Sequence, residues 1–205
     1  MLKKPNKTNG LQFGKIYHIF NKALGSELLF RSEKDYHFFL QKLKRFITPY
    51  ARIFSYCLIP NHFHLLIQAK EEEELSFKSH SLKNLDNEKI FTQKFSDLFN
   101  SYSKSYNKAY DRKGRLFLYS FKHIEVIRED YLVYLICYIH RNPIHHGLTF
   151  NYEDWKYSSY NTFLSNKPTQ IEREYILDIF GSRNEFVNFH NLNKTKRGLK
   201  EFIIE

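Results

Sequence analysis

The sequence predicts an α+β fold, an antiparallel sheet with helices on one face, and three observations carry that prediction. Short stretches in which apolar residues alternate with others read as strands with one face toward a core. Two longer segments repeat apolar residues at steps of three and four, the spacing of an amphipathic helix. The elements run strand, helix, strand, strand, helix, strand, helix; the first six form the split pattern of ferredoxin-like or RRM-like sheets. The seventh, a tyrosine-bearing helix, is then free to cross the open face.

Residues 1–12 are polar and basic and read as loose. In residues 15–22, Ile16, His18 and Phe20 alternate with Tyr17, Ile19 and Asn21, a strand pattern. Ser32 with Asp35 three positions on is a helix start, followed by a stripe of Phe39, Leu40, Leu43, Phe46 and Ile47. Residues 52–58 and 61–69 form a hairpin about the turn Pro60-Asn61. Residues 70–88 open with four glutamates and read as a loose, solvated insertion. A second helix over residues 88–110 carries Phe91, Phe95, Leu98, Tyr102 and Tyr106 on one stripe. After the basic turn 111–115, residues 116–127 read as a strand. The third helix starts near Arg128 and is expected to stop by Asn142, because Pro143 follows. Residues 151–205 read as a helical C-terminal extension packing on the 1–150 domain.

Within the hairpin, His62 and His64 point to one face, while Phe63, Leu65 and Ile67 point to the other. Two imidazoles about 6–7 Å apart along a strand face can converge on one divalent ion. On the third helix, Leu132, Leu135, Ile136 and Ile139 fill one arc, and Tyr138 and Asn142 are neighbours on its flank. A hydroxyl and a carboxamide one turn apart can approach the same ion or the same phosphate. Tyr131 stands roughly 16 Å from Asn142 along the axis and cannot join it.

Lys and Arg number 32 against 22 Asp and Glu, a formal charge of +10, and aromatics make up 18% of the 205 residues. That balance points to a polyanionic partner such as nucleic acid. Cys57 and Cys137 lie in apolar runs and read as core thiols, which fits a reducing cytoplasm and gives no disulfide framework. No 18-residue apolar run or secretory signal is seen, so the expectation is a cytoplasmic protein without a membrane span.

Several stretches carry a family resemblance. Leu58-Ile59-Pro60-Asn61-His62-Phe63-His64-Leu65-Leu66 resembles the His-hydrophobic-His motif of single-tyrosine (HUH) transposases. Residues 106–117 are similar to that family's helix-to-strand segment. Tyr138-Ile139-His140-Arg141-Asn142-Pro143, then Gly147 and Asp154-Trp155 through Tyr160, resemble the REP-associated tyrosine transposase branch. The motifs occur in order over about residues 15–165. The resemblance implies that His62 and His64 ligate a divalent metal, Mg²⁺ or Mn²⁺, and that Tyr138 is the nucleophile. Asn142 then stands where more distant relatives carry a glutamine ligand. It further implies nicking and joining of single-stranded or hairpin DNA through a 5′-phosphotyrosine, by a homodimer or a monomer.

The residue types suit that chemistry. A phenol with a pKa near 10 is a weak nucleophile at neutral pH, and a divalent ion at the phosphate would offset the developing charge. For DNA contact the candidates are Lys104, Lys108, Arg112, Lys113, Arg115 and Lys122, with Arg141 beside the site; Tyr102 and Tyr106 read instead as the second helix's own core. His140, His145 and His146 read as solvent-facing or phosphate-contacting. The alternative to catalysis is a sheet that binds structured single-stranded DNA or RNA without cutting it.

Overall fold

The computed structural model describes residues 10–75, 87–120 and 122–194. Strands β1 (Ile16–Lys22), β2 (Ala51–Ile59), β3 (His62–Ala69) and β4 (Lys122–Val126) form one antiparallel sheet in the order β2-β3-β1-β4. This is the ferredoxin-like topology that the element order predicts. Helices α1 (Glu33–Phe46) and α2 (Asn87–Ala109) cover one face, burying Tyr17, Ile19, Phe63, Leu65 and Ile67 beneath Phe39, Phe95, Leu98 and Tyr102. At the start of α1 the Asp35 carboxylate accepts from the Ser32 and Arg31 N–H groups at 2.8 Å, satisfying donors beside the helix end.

The opposite face packs against α3 (Glu129–His145). Its Leu132, Leu135, Ile136 and Ile139 are fully buried with Phe54, Cys57, Ile59 and Leu66 of the sheet. A one-residue bulge at Phe54 shifts the β2–β3 register between Ile53 and Ser55. It leaves Phe54 in the α3-side core and lets Ser55 reach His140 across the same face.

The short helices α4 (Tyr160–Leu164), α5 (Arg173–Phe180) and α6 (Arg183–Asn193) extend that second core with Phe163, Ile176 and Phe186. The chain just before α4 and just before α5 closes the outer edge of β2. Leu58 N–H donates to the Tyr157 carbonyl, Ser159 N–H to Tyr56, and Glu172 N–H to Ile53. An edge so covered offers no template for unwanted strand pairing.

Four expectations are corrected. The third helix runs through Pro143 to His145. Proline removes one backbone donor in the last turn, and the His146 and Leu148 N–H groups close the end on the Asn142 and Pro143 carbonyls. The strand expected over 116–127 is regular only in β4: Phe117 makes an isolated bridge to Ala23, and pairing resumes with Lys122 opposite Phe20, a bulge in the ladder. Asn21 spans that bulge: its amide donates to the Tyr119 carbonyl at 2.9 Å and its oxygen faces the Tyr119 N–H at 3.3 Å.

Leu11, expected to be loose, is fully buried. The glutamate run is exposed, as expected, but held rather than loose: Glu72–Glu74 form a 3-10 turn and Glu74 pairs with Arg52. Glu71 lies against Gly14, whose φ of +71° and lack of a Cβ admit the carboxylate. The rest of the expected insertion, residues 76–86, lies outside the described residues, as do 1–9 and 195–205. Cys57 and Cys137 are buried free thiols. Among the described residues no helix is long and apolar enough to cross a membrane.

Candidate active site

Strand β3 alternates as its sequence requires, so His62 and His64 face α3 while Phe63 and Leu65 face α1 and α2. Their ring centroids are 5.2 Å apart and the rings stand perpendicular. Asn142 reaches His62: Oδ1 lies 3.2 Å from Nε2. The Tyr138 ring meets His64 edge-on at 5.4 Å between centroids. All four residues singled out from the sequence therefore meet in one cluster, and all are buried.

Each polar group in the cluster is oriented. The Asn142 amide donates to the Tyr138 carbonyl one turn back at 3.1 Å, which turns Oδ1 toward His62. His62 stands between two side-chain oxygens, Asn61 at 2.9 Å from Nδ1 and Asn142 at 3.2 Å from Nε2, and a neutral imidazole donates to only one of them. A cation beside the nitrogen without a proton would satisfy its lone pair.

His64 is held in the same sense. Its Nδ1 lies 2.9 Å from His18 Nε2, while its Nε2 is buried with no hydrogen-bond partner among the described residues. Burial holds His64 well below the ordinary histidine value, helped by the neighbouring His18, His62 and His146 and opposed by the Asn142 carboxamide. Burial alone pushes His18 down to about 3. Neutral imidazoles keep the lone pairs that metal ligation needs.

These groups fit a divalent ion. Neighbouring ligands of an octahedral ion at 2.0–2.1 Å stand about 3 Å apart, close to the His62–Asn142 separation. Among the described residues no group of three or more His, Cys, Asp or Glu has a metal-binding arrangement. An ion here would thus depend on the Asn142 carboxamide beside the two imidazoles.

Two histidines join the cluster without having been assigned to it. His18 reaches His64 because β1 pairs with β3 with Phe20 opposite His64 and His18 opposite Leu66. His146 lies 4.8 Å from His62 between ring centroids, delivered by the extra helical turn beyond Pro143. Alternation along β1 is the only sequence signal for His18; the register that matters is set by pairing across the sheet.

His140 corrects the expectation that it faces solvent. It is fully buried, 2.7 Å from Ser159 Oγ and 2.9 Å from His190 Nε2. His190 in turn contacts the Phe186 carbonyl at 2.7 Å, and Tyr152 donates to the His190 carbonyl. This chain ties α3 to β2 and α6 one half-turn from Tyr138.

The basic candidates separate into two kinds. Lys104, Lys108, Lys113 and Arg115 are exposed along the end of α2 and the turn after it. Arg112 is turned inward, donating to Glu27, Asn107 and the Arg115 carbonyl, each at 2.9 Å. Lys122 stands 3.8 Å over the Tyr119 ring beside the histidine pair. Arg141 is half-buried and its charge is felt by Cys137 and Tyr152. Tyr102 and Tyr106 donate to the Leu29 and Leu28 carbonyls from the core, and Arg31 covers the Tyr110 ring at 4.7 Å.

No protein-family model matches the chain, and no curated protein matches it. A solved structure described as a REP-associated tyrosine transposase bound to a REP hairpin does match. The superposition covers 82% of this chain and 90% of the other, with a TM-score of 0.57 and 15% identity. The chain has the fold of a REP-associated tyrosine transposase.

Proposed function

We propose that the protein is a single-strand DNA nicking and joining enzyme of the transposase type, acting on hairpin-bearing DNA. The observation that carries this reading is the docking of Tyr138 and Asn142, one turn apart on α3, over His64 and His62. The neighbour's bound REP hairpin and the charge of +10 support the substrate class.

In the proposed reaction the Tyr138 phenol oxygen bonds to a backbone phosphorus and the bond to the 3′ oxygen breaks. The phenol gives up its proton and the departing oxygen takes one up. The product is a 5′-phosphotyrosine and a free 3′ hydroxyl, and the retained phosphoester bond lets rejoining proceed without a nucleotide cofactor. His62, His64 and Asn142 would hold Mg²⁺ or Mn²⁺, which when bound would polarise the phosphate and offset its developing charge. His18 and Asn61 hold the two imidazoles by Nδ1, and the apolar wall of α3 limits water around the phenol.

Labelled single-stranded hairpin DNA with Mn²⁺ should yield a covalent protein–DNA adduct, lost on chelation and in Tyr138→Phe. An adduct that persists in Tyr138→Phe refutes the nucleophile. A second reading, a non-catalytic binder of structured DNA or RNA, draws on the same charge and on the absence, among the described residues, of three or more His, Cys, Asp or Glu side chains placed to hold a metal. Tight binding indifferent to chelator, with no adduct under either metal, would favour it.

A further inference from the structure

Beside the histidine pair lies a cleft with a composition of its own. Lys22 and Lys122 flank it, Tyr119 forms a wall, Asn61 lies at the hairpin tip, and His62 and His64 make its inner end. No carboxylate lines it among the described residues. Its shape comes from the bulge before β4, where the Asn21 side chain grips the Tyr119 backbone and so fixes where the ring stands. Lys122, directly opposite Phe20 in the β1–β4 register, lies over that ring at 3.8 Å. The result is a cleft lined by one half-buried ring and two ammonium groups that reaches the buried His62 and His64.

A site with two cations, no anion and one half-buried aromatic suits a ligand that is anionic on one side and a flat ring on the other. A single-stranded nucleotide has that chemistry: Lys groups take phosphate as point charges, and a tyrosine face takes any base. A duplex would keep its bases stacked inside and leave the ring unused.

We infer that this cleft is the seat of one unpaired nucleotide next to the phosphate under attack, with its base on Tyr119 and its phosphate between Lys22 and Lys122. The inference rests on the nucleic-acid reading above and deepens it, since it assigns a place to a strand that must be unpaired at this step. Tyr119 and Lys22 are thereby substrate-binding residues that neither motif nor charge run identifies.

The test uses the full chain in chelator, so that neither cleavage nor metal enters. A fluorescein-labelled thymidine 20-mer carrying 5-iodouracil is bound and irradiated, and the cross-linked residue is identified by mass spectrometry. The expected result is a cross-link at Tyr119. Tyr119→Ala should weaken binding about five-fold or more, and Tyr119→Phe should keep it near wild type. Lys122→Gln should lower the slope of log affinity against log salt by about 1. Normal binding with cross-links wholly outside the cleft, and unchanged affinity in Tyr119→Ala, overturns the subsite while leaving the nicking reaction standing. Failure to bind any single strand overturns both, whereas loss of adduct formation alone touches only the reaction.

Discussion

His18 Nε2 lies 2.9 Å from His64 Nδ1, with the two rings stacked at 5.0 Å between centroids. One proton is shared between these nitrogens, and its owner decides what His64 can do. If His64 Nδ1 carries it, Nε2 presents a lone pair to the site; if His18 carries it, His64 Nε2–H points inward and cannot ligate. Partners of this kind set ligand tautomer and basicity, and their loss typically costs 10–100-fold in metal affinity. His18→Phe, which leaves Nδ1 without an acceptor, should therefore weaken Mn²⁺ binding by roughly that factor in calorimetry. His18→Gln, whose side-chain oxygen can accept, should recover part of it. Equal Mn²⁺ affinity in wild type and His18→Phe would refute the role.

Asn142 has two duties, and they can be separated. Its amide bonds the Tyr138 carbonyl and its oxygen faces His62. Asn142→Asp keeps an oxygen at the ion, and adds charge, but loses the donor that fixes its direction. Asn142→Ala loses both. Adduct formation should fall below detection in Asn142→Ala and persist at a reduced rate in Asn142→Asp. Tyr138→Phe should abolish the adduct yet leave Mn²⁺ binding intact. Robust adduct in Asn142→Ala would remove Asn142 from the proposed ligand set.

What the chain made legible in advance was local. Alternation in β3 puts His62 and His64 on one face without reference to any other element, and the wheel of α3 pairs Tyr138 with Asn142 in the same way. The order of strands and helices then leaves few topologies to consider. What stayed hidden depends on partners far along the chain. His18 meets His64 across 46 positions, His140 meets His190 across 50, and Arg112 meets Glu27 across 85. Charge in a basic turn gives no sign that one arginine is consumed by a glutamate from a distant loop. The bulge before β4 was invisible for a related reason: the Asn21 side chain holds it at the Tyr119 backbone, not a local turn signal.

That difference among the basic residues is measurable. Arg112, whose side chain is 14% exposed, links the turn after α2 to Glu27 and to its own carbonyl frame. Arg112→Ala should cost roughly 1–3 kcal/mol in urea unfolding, because Asn107, Glu27 and the Arg115 carbonyl lose a charged partner together. Lys104→Gln and Arg115→Gln, at exposed positions, should leave the unfolding midpoint unchanged. They should instead weaken single-strand binding and flatten its salt dependence by about one ion each. A stable Arg112→Ala protein with weakened DNA binding would reverse the assignment.

Acid should destabilise the fold before its carboxylates titrate. His18 and His190 are both held neutral by burial, each pushed down to about 3, with the Phe186 carbonyl opposing the shift at His190. In the unfolded chain the same groups take up protons near 6.5, so below that pH the unfolded state binds more protons than the folded one. Stability is thus full above about pH 6.5 and is lost as pH falls through the window down to about 3. Between pH 6.5 and 5.5 each of the two groups should remove about 1 kcal/mol, and the buried His64 and His140 shift in the same direction. Urea midpoints measured without metal should fall across that interval. The fall should be smaller in His18→Phe measured against its own value at pH 7.5, since one titrating group is gone. A flat profile from pH 7.5 to 5 would mean that these histidines are protonated as readily in the folded chain as in the unfolded one.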